Sequence, residues 1–137
     1  MTFAVSYRLR ASEREHDRLL LREVYEELAA RRPTWVTVET FAADDDQSMI
    51  LLVSTRSEAR LPELAVLTRY RGGLDDRCEV PSQSYVIRRA TIDKLPVDKI
   101  AFWNPYRKTW ALPPGPGPQP PRSDPAPRRP DALSSGR

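Results

Sequence analysis

The sequence predicts a small α+β domain of β-α-β-β-α-β order over residues 1 to about 92, followed by a proline-rich tail without regular structure. Three observations carry this. Apolar residues alternate from Phe3 to Leu9, as on a strand with one apolar face. A period of three and four residues runs from Ser12 to Arg32, as on an amphipathic helix. Two apolar runs, Trp35 to Phe41 and Met49 to Thr55, flank a short polar turn.

In the first strand, Phe3, Val5, Tyr7 and Leu9 alternate with Ala4, Ser6 and Arg8. Ser12 then stands where a helix N-cap is wanted, with Glu13 and Glu15 in the first turn. Leu20, Leu21, Val24, Leu28 and Ala29 form an apolar stripe, while Arg and Glu alternate over the other faces. Arg31 and Arg32 suit the helix C-terminus, and Pro33 stops it. The second and third strands follow, joined by Ala42 to Ser48. The three consecutive aspartates of this turn lack the glycine and distal glutamate of a calcium loop, so a solvated turn is expected.

Met49-Ile50-Leu51-Leu52-Val53 is apolar on both faces, which implies a strand covered on two sides. The helices provide one cover. A four-stranded antiparallel sheet with two helices on one face leaves the other face open, so a second subunit is expected there, giving a sheet-to-sheet homodimer. A second helix is expected to start near Leu61-Pro62 and to carry Leu64, Leu67, Tyr70, Leu74 and Cys78. Gly72-Gly73 inside it marks either a bend or a close backbone approach. Pro81 ends the element, and Tyr85 to Ile92 is read as the fourth strand.

Residues 93–112 form an aromatic-rich arm with Phe102, Trp103, Tyr106 and Trp110, expected to dock on the chain's own domain or dimer mate, or to bind a protein partner. Residues 113–137 are a Pro/Arg-rich tail, where nine of the 14 prolines and +2 of the net charge of +3 reside. The remainder is nearly neutral, with no clustered basic surface, which argues against nucleic acid. One cysteine, Cys78, excludes an intrachain disulfide and reads as a small core residue. No apolar run is long enough for a signal peptide or membrane span, so a cytoplasmic location is expected. With one His and one Cys, 62 positions apart, no metal site is expected, and no cofactor motif or nucleophile signature appears.

There remain Tyr7, Trp35, Tyr70 and Tyr85, with Arg8, Arg69, Arg71 and Arg88 near them in sequence. Such a set lines a ligand pocket or belongs to the core; both readings stay open. The element order, the Phe3-Ala4-Val5-Ser6-Tyr7 opening, and the helix from Leu61-Pro62-Glu63-Leu64 to Gly73-Leu74 and Arg77-Cys78 together resemble the dimeric α+β barrel superfamily. Within it, residues 1 to about 92 look like the small proteins similar to antibiotic-biosynthesis monooxygenases. The resemblance implies a ferredoxin-like monomer whose sheet packs on a second sheet to make a barrel. Some relatives of this kind oxidise aromatic polyketides with oxygen and no cofactor, while others degrade haem or have no established activity. The haem-degrading branch uses an Asn, a Trp and a His, a set that Asn104, outside the domain, and His16, on the first helix, do not reproduce.

The function expected from the sequence is a cytoplasmic dimeric barrel that binds a small aromatic or apolar molecule without a cofactor, with cofactor-independent oxygenation as the candidate activity. Tyr7, Trp35, Tyr70 and Tyr85 would contact the ligand, and Arg71 or His16 would supply the polar or proton-handling group. The alternative is a non-catalytic dimerisation scaffold whose aromatic arm and tail recruit a protein.

Overall fold

Alternating hydrophobicity in β1 (Thr2–Arg8), apolar β-branched and aromatic residues in β2 (Val36–Ala42) and a continuous apolar run in β3 (Ser48–Thr55) produce the centre of the molecule. β3 lies between the other two and pairs antiparallel with both, Val5 opposite Leu51 and Val38 opposite Val53. The computed structural model describes residues 1–106; the Pro/Arg tail and the end of the arm, including Trp110, lie outside the described residues.

Two further strands complete an antiparallel sheet of order β4-β1-β3-β2-β5, with β4 (Gln83–Val86) on β1 and β5 (Asp98–Trp103) on β2. The four-stranded expectation is therefore corrected to five. The apolar run Ile100-Ala101-Phe102-Trp103, read from sequence as part of an arm, pairs with the edge that β2 would otherwise leave free. Trp103 and Ala101 turn into the core, and the Trp103 indole donates to Pro33 O at 3.1 Å.

One face of the sheet carries Val5, Tyr7, Val38, Leu51, Val53 and Trp103 against α1 (Arg14–Arg31) and α2 (Ala65–Gly72). Leu21, Val24, Tyr25 and Leu28 of α1 are buried on this face, and the Tyr25 hydroxyl meets Thr40 Oγ1 at 2.8 Å. The expected second helix is broken into pieces: a 3-10 turn Glu58–Glu63, then α2, then α3 (Leu74–Arg77). Leu64, at φ −91° and ψ 81°, interrupts the chain after Pro62, and Gly73 separates α2 from α3. Leu64 gives α2 no side-chain cap, and the Glu27 carboxylate of α1 accepts from the backbone N–H groups of Val66 and Leu67 instead.

The opposite face holds Ala4, Phe41, Ile50 and Leu52, all buried. Sequence reasoning assigned its cover to a second subunit; the chain covers it with its own residues. The expected fourth strand, Tyr85 to Ile92, stops at Val86, where its ladder with β1 ends at Phe3. Residues 87–97 then cross the face from the β4 edge to β5, with α4 (Arg89–Ile92) midway. Ile92 is 1% exposed against Ala4, Phe41, Ile50 and Leu52, flanked by Ile87 and Val97. The Arg89 guanidinium donates to Glu39 Oε2 at 2.7 Å and lies over the Phe41 ring. Glu39 Oε1 is 3.3 Å from Lys99 Nζ, an ion-pair contact outside hydrogen-bond geometry. The strap, rather than a second sheet, explains why β3 is apolar on both sides.

Candidate functional site

The helical layer does not extend over β4, whose four residues are all exposed. Where it stops, a groove of about 290 Å³ opens between α2–α3 and the β1–β4 ladder. Val5 and Leu74 form its apolar part, and Thr68, Arg71, Gly72, Ser82 and Ser84 line the rest. Thr68, Arg71 and Gly72 share one face of α2 through their three- and four-residue spacing. Ser84 stands opposite Val5 in the ladder, and the Ser82 backbone N–H donates to Asp75 Oδ1 at 2.8 Å, which fixes the entry of β4. Asp75 is held below the usual carboxylate range by these Ser82 bonds.

Arg71 is the one charged residue in this lining. It is partly buried, its guanidinium lies 4.9 Å from the centre of the Phe3 ring, and among the described residues no carboxylate or carbonyl pairs with it. Burial pulls its pKa below the ordinary arginine value. Of the hydroxyls, Thr68 donates to Leu64 O at 2.9 Å and Ser82 is engaged with Asp75, whereas Ser84 has no such bond among the described residues. Gly72 leaves its flank of the groove open: a Cβ there would meet nothing within 4 Å.

A second polar cluster is sealed inside. The Tyr7 and Tyr70 hydroxyls meet at 2.6 Å, and Tyr70 donates to Asp17 Oδ2 at 2.9 Å. Arg77 Nε donates to Asp17 Oδ1 at 3.1 Å, and Arg77 Nη1 donates to Gly73 O at 2.9 Å. All four side chains are buried. Burial pushes the Asp17 carboxyl up, against the pull of Arg77 and Tyr70, and burial raises both tyrosines. The cluster joins α1, α2, α3 and β1. The backbone of α2–α3 comes close enough to Arg77 that a Cβ on Gly73 would stand 3.1 Å from its Nη1, so this glycine answers to a close approach.

The structure brings Tyr7 and Tyr70 together, edge to face with centroids 6.4 Å apart, inside this cluster. Trp35 immediately precedes β2 with Arg60 stacked 4.7 Å over its ring, and both line a separate cleft of about 270 Å³ that includes Arg31, Arg32 and Glu63. Tyr85 pairs with Ala4 and so belongs to the strap side of the sheet, where it is exposed. His16 is on the surface of α1, its Nδ1 3.1 Å from Glu13 Oε1. Arg71 alone among these six residues lines the groove described above. Sequence reasoning missed Ser84, Asp17 and the role of Arg77. Asp17 left a readable signal, because it precedes Leu21, Val24 and Leu28 on the buried stripe of α1.

In the turn between β2 and β3, Asp45 Oδ1 accepts from the N–H groups of Gln47 and Ser48, and its Oδ2 pairs with Arg8 at 3.0 Å. These bonds hold its carboxyl down to about 2. No helix among the described residues is long and apolar enough to cross a membrane. Set against known proteins, the chain matches no family model, no curated protein and no solved structure, so its function rests on the arrangement of its own residues.

Proposed function

We propose that the protein binds a small molecule with an apolar body in the groove between α2–α3 and β1–β4. The observation that carries this reading is the groove itself: it sits where two layers part, has an apolar floor of Val5 and Leu74, and is rimmed by the polar side chains of Thr68, Arg71, Ser82 and Ser84. Its volume of about 290 Å³ suits a single ring or a short chain better than a polycycle, since pockets for drug-sized ligands begin at about 300 Å³. The reading is one of binding without chemistry, because the lining residues include no carboxylate, imidazole, thiol or phenol to move a proton.

The order β4-β1-β3-β2, with α1 and α2 on one face, supports a ferredoxin-like core extended by β5. The sheet-to-sheet pairing of a dimeric barrel is left out of the proposal, because Ile87, Ile92 and Val97 occupy the face it would use. Recruitment of a protein by the aromatic arm is left out as well: Phe102 and Trp103 are spent within β5.

The test is a plug. Gly72→Leu adds a side chain at the flank of the groove, where a Cβ meets nothing within 4 Å, so folding is expected to be retained. A screen of small monocyclic and short-chain molecules by thermal shift and amide chemical-shift mapping is expected to find ligands that move Thr68, Gly72 and Ser84 in the natural sequence and not in the variant. Ligands that bind the plugged variant equally well would place the site elsewhere.

A further inference from the structure

A cation removed in part from water without a counter-charge is a cost to the fold, and positions of that kind are kept where a ligand supplies the missing partner. Arg71 meets this description: it is partly buried, its fork of donors faces no acceptor among the described residues, and its contact is the Phe3 ring. Beside it in the groove, the Ser84 hydroxyl has no protein bond among the described residues, while Thr68 and Ser82 are already committed. The nearby carboxylate of Asp75 is turned to Ser82. A neutral ligand would desolvate the guanidinium further and leave it unpaired. An anion would satisfy it, and a planar carboxylate matches the guanidinium fork with two parallel bonds.

We infer that the ligand of this groove is a small monocarboxylate, its oxygens held by Arg71 and the Ser84 hydroxyl and its apolar body resting on Val5 and Leu74. The inference rests on the groove being a binding site. It adds the chemical class of the ligand and assigns Arg71 the role of anchor.

The experiment compares acids with their neutral amides on the full chain: benzoate with benzamide, and hexanoate with hexanamide, titrated by amide chemical-shift mapping. The acids are expected to bind about tenfold or more tighter than the amides, the gain of a charge-assisted pair in a partly desolvated site. Arg71→Gln is expected to abolish that difference, and Arg71→Lys to recover part of it, keeping charge but not the fork. Arg69→Gln, which removes an equal charge from the exposed side of α2, is expected to leave it intact. Acids and amides that bind equally well would overturn the carboxylate assignment and leave the groove standing. Acid binding that survives Arg71→Gln would place the anion elsewhere, the Arg31–Arg32 cleft being the next place to map, and would also overturn it. Absence of binding by all four probes would remove the groove reading and this inference together.

Discussion

Asp17 lies four residues before Leu21 on the stripe that α1 turns to the sheet, a place where a carboxylate survives only with partners. It has Arg77 and Tyr70, and removal of one member should therefore cost more than removal of both ions. Asp17→Ala leaves a buried guanidinium uncompensated and is expected to destabilise the fold by about 3–5 kcal/mol. The double change Asp17→Leu with Arg77→Met is expected to recover most of that loss, because buried ion pairs are often replaced by apolar side chains at little net cost. Urea unfolding of the natural chain and the two variants checks it; a double variant as unstable as the single one would show that the ion pair itself holds the helices. The adjacent glycines separate in the same way. Gly72→Ala meets open space in a helix and is expected to stabilise by about 0.5–1 kcal/mol. Gly73→Ala is expected to destabilise by about 1–3 kcal/mol, since its Cβ would crowd an Arg77 pinned by Asp17. A calorimetric comparison that gave both changes the same sign would refute this division.

At the scale of elements, β1, α1, β2 and β3 were legible because their signals are local: strict alternation, a helical stripe, and a polar turn between apolar runs. The rest was not, for physical reasons that can be named. β5 is a strand because β2 has a free edge, a non-local fact that no window around Ile100 to Trp103 contains. α2 begins after a break at Leu64 and draws its N-terminal acceptor from Glu27, on another helix. Of the candidate site, Arg71 was legible as a residue near an apolar stripe, but its partner Ser84 arrives through strand pairing. The β2–β3 turn gives this scale its prediction. The Asp45 carboxyl titrates near 2 in the fold against an ordinary value of 3.8. A depressed folded value means a contribution to stability that is present above about pH 4 and lost as pH falls towards about 2. The thermal midpoints of the natural chain and Asp45→Asn are therefore expected to differ by a constant amount near neutrality and to converge across that acid window. A gap that persists at the acid end would assign it to hydrogen-bond geometry rather than charge.

For the whole molecule, the sheet is a two-sided object closed by one chain: helices on one face, the strap of residues 87–97 on the other. Ile92 is the centre of the second closure, and Ile92→Ala is expected to cost about 2–5 kcal/mol as a buried large-to-small change. Ile92→Asp should lift the strap and expose Ile50, Leu52 and Phe41. Sedimentation velocity is then expected to show concentration-dependent self-association beyond that of the natural sequence; a variant that sedimented like the natural chain would mean that the strap holds without its anchor. The position of the strap along the chain also orders events during synthesis. A ribosome delivers β1 through β4 before it delivers residues 87–103, so the nascent sheet can assemble with one apolar face bare and the β2 edge unpaired. During that interval the chain presents the kind of surface that holding chaperones bind, and it loses it only when its last strand has emerged.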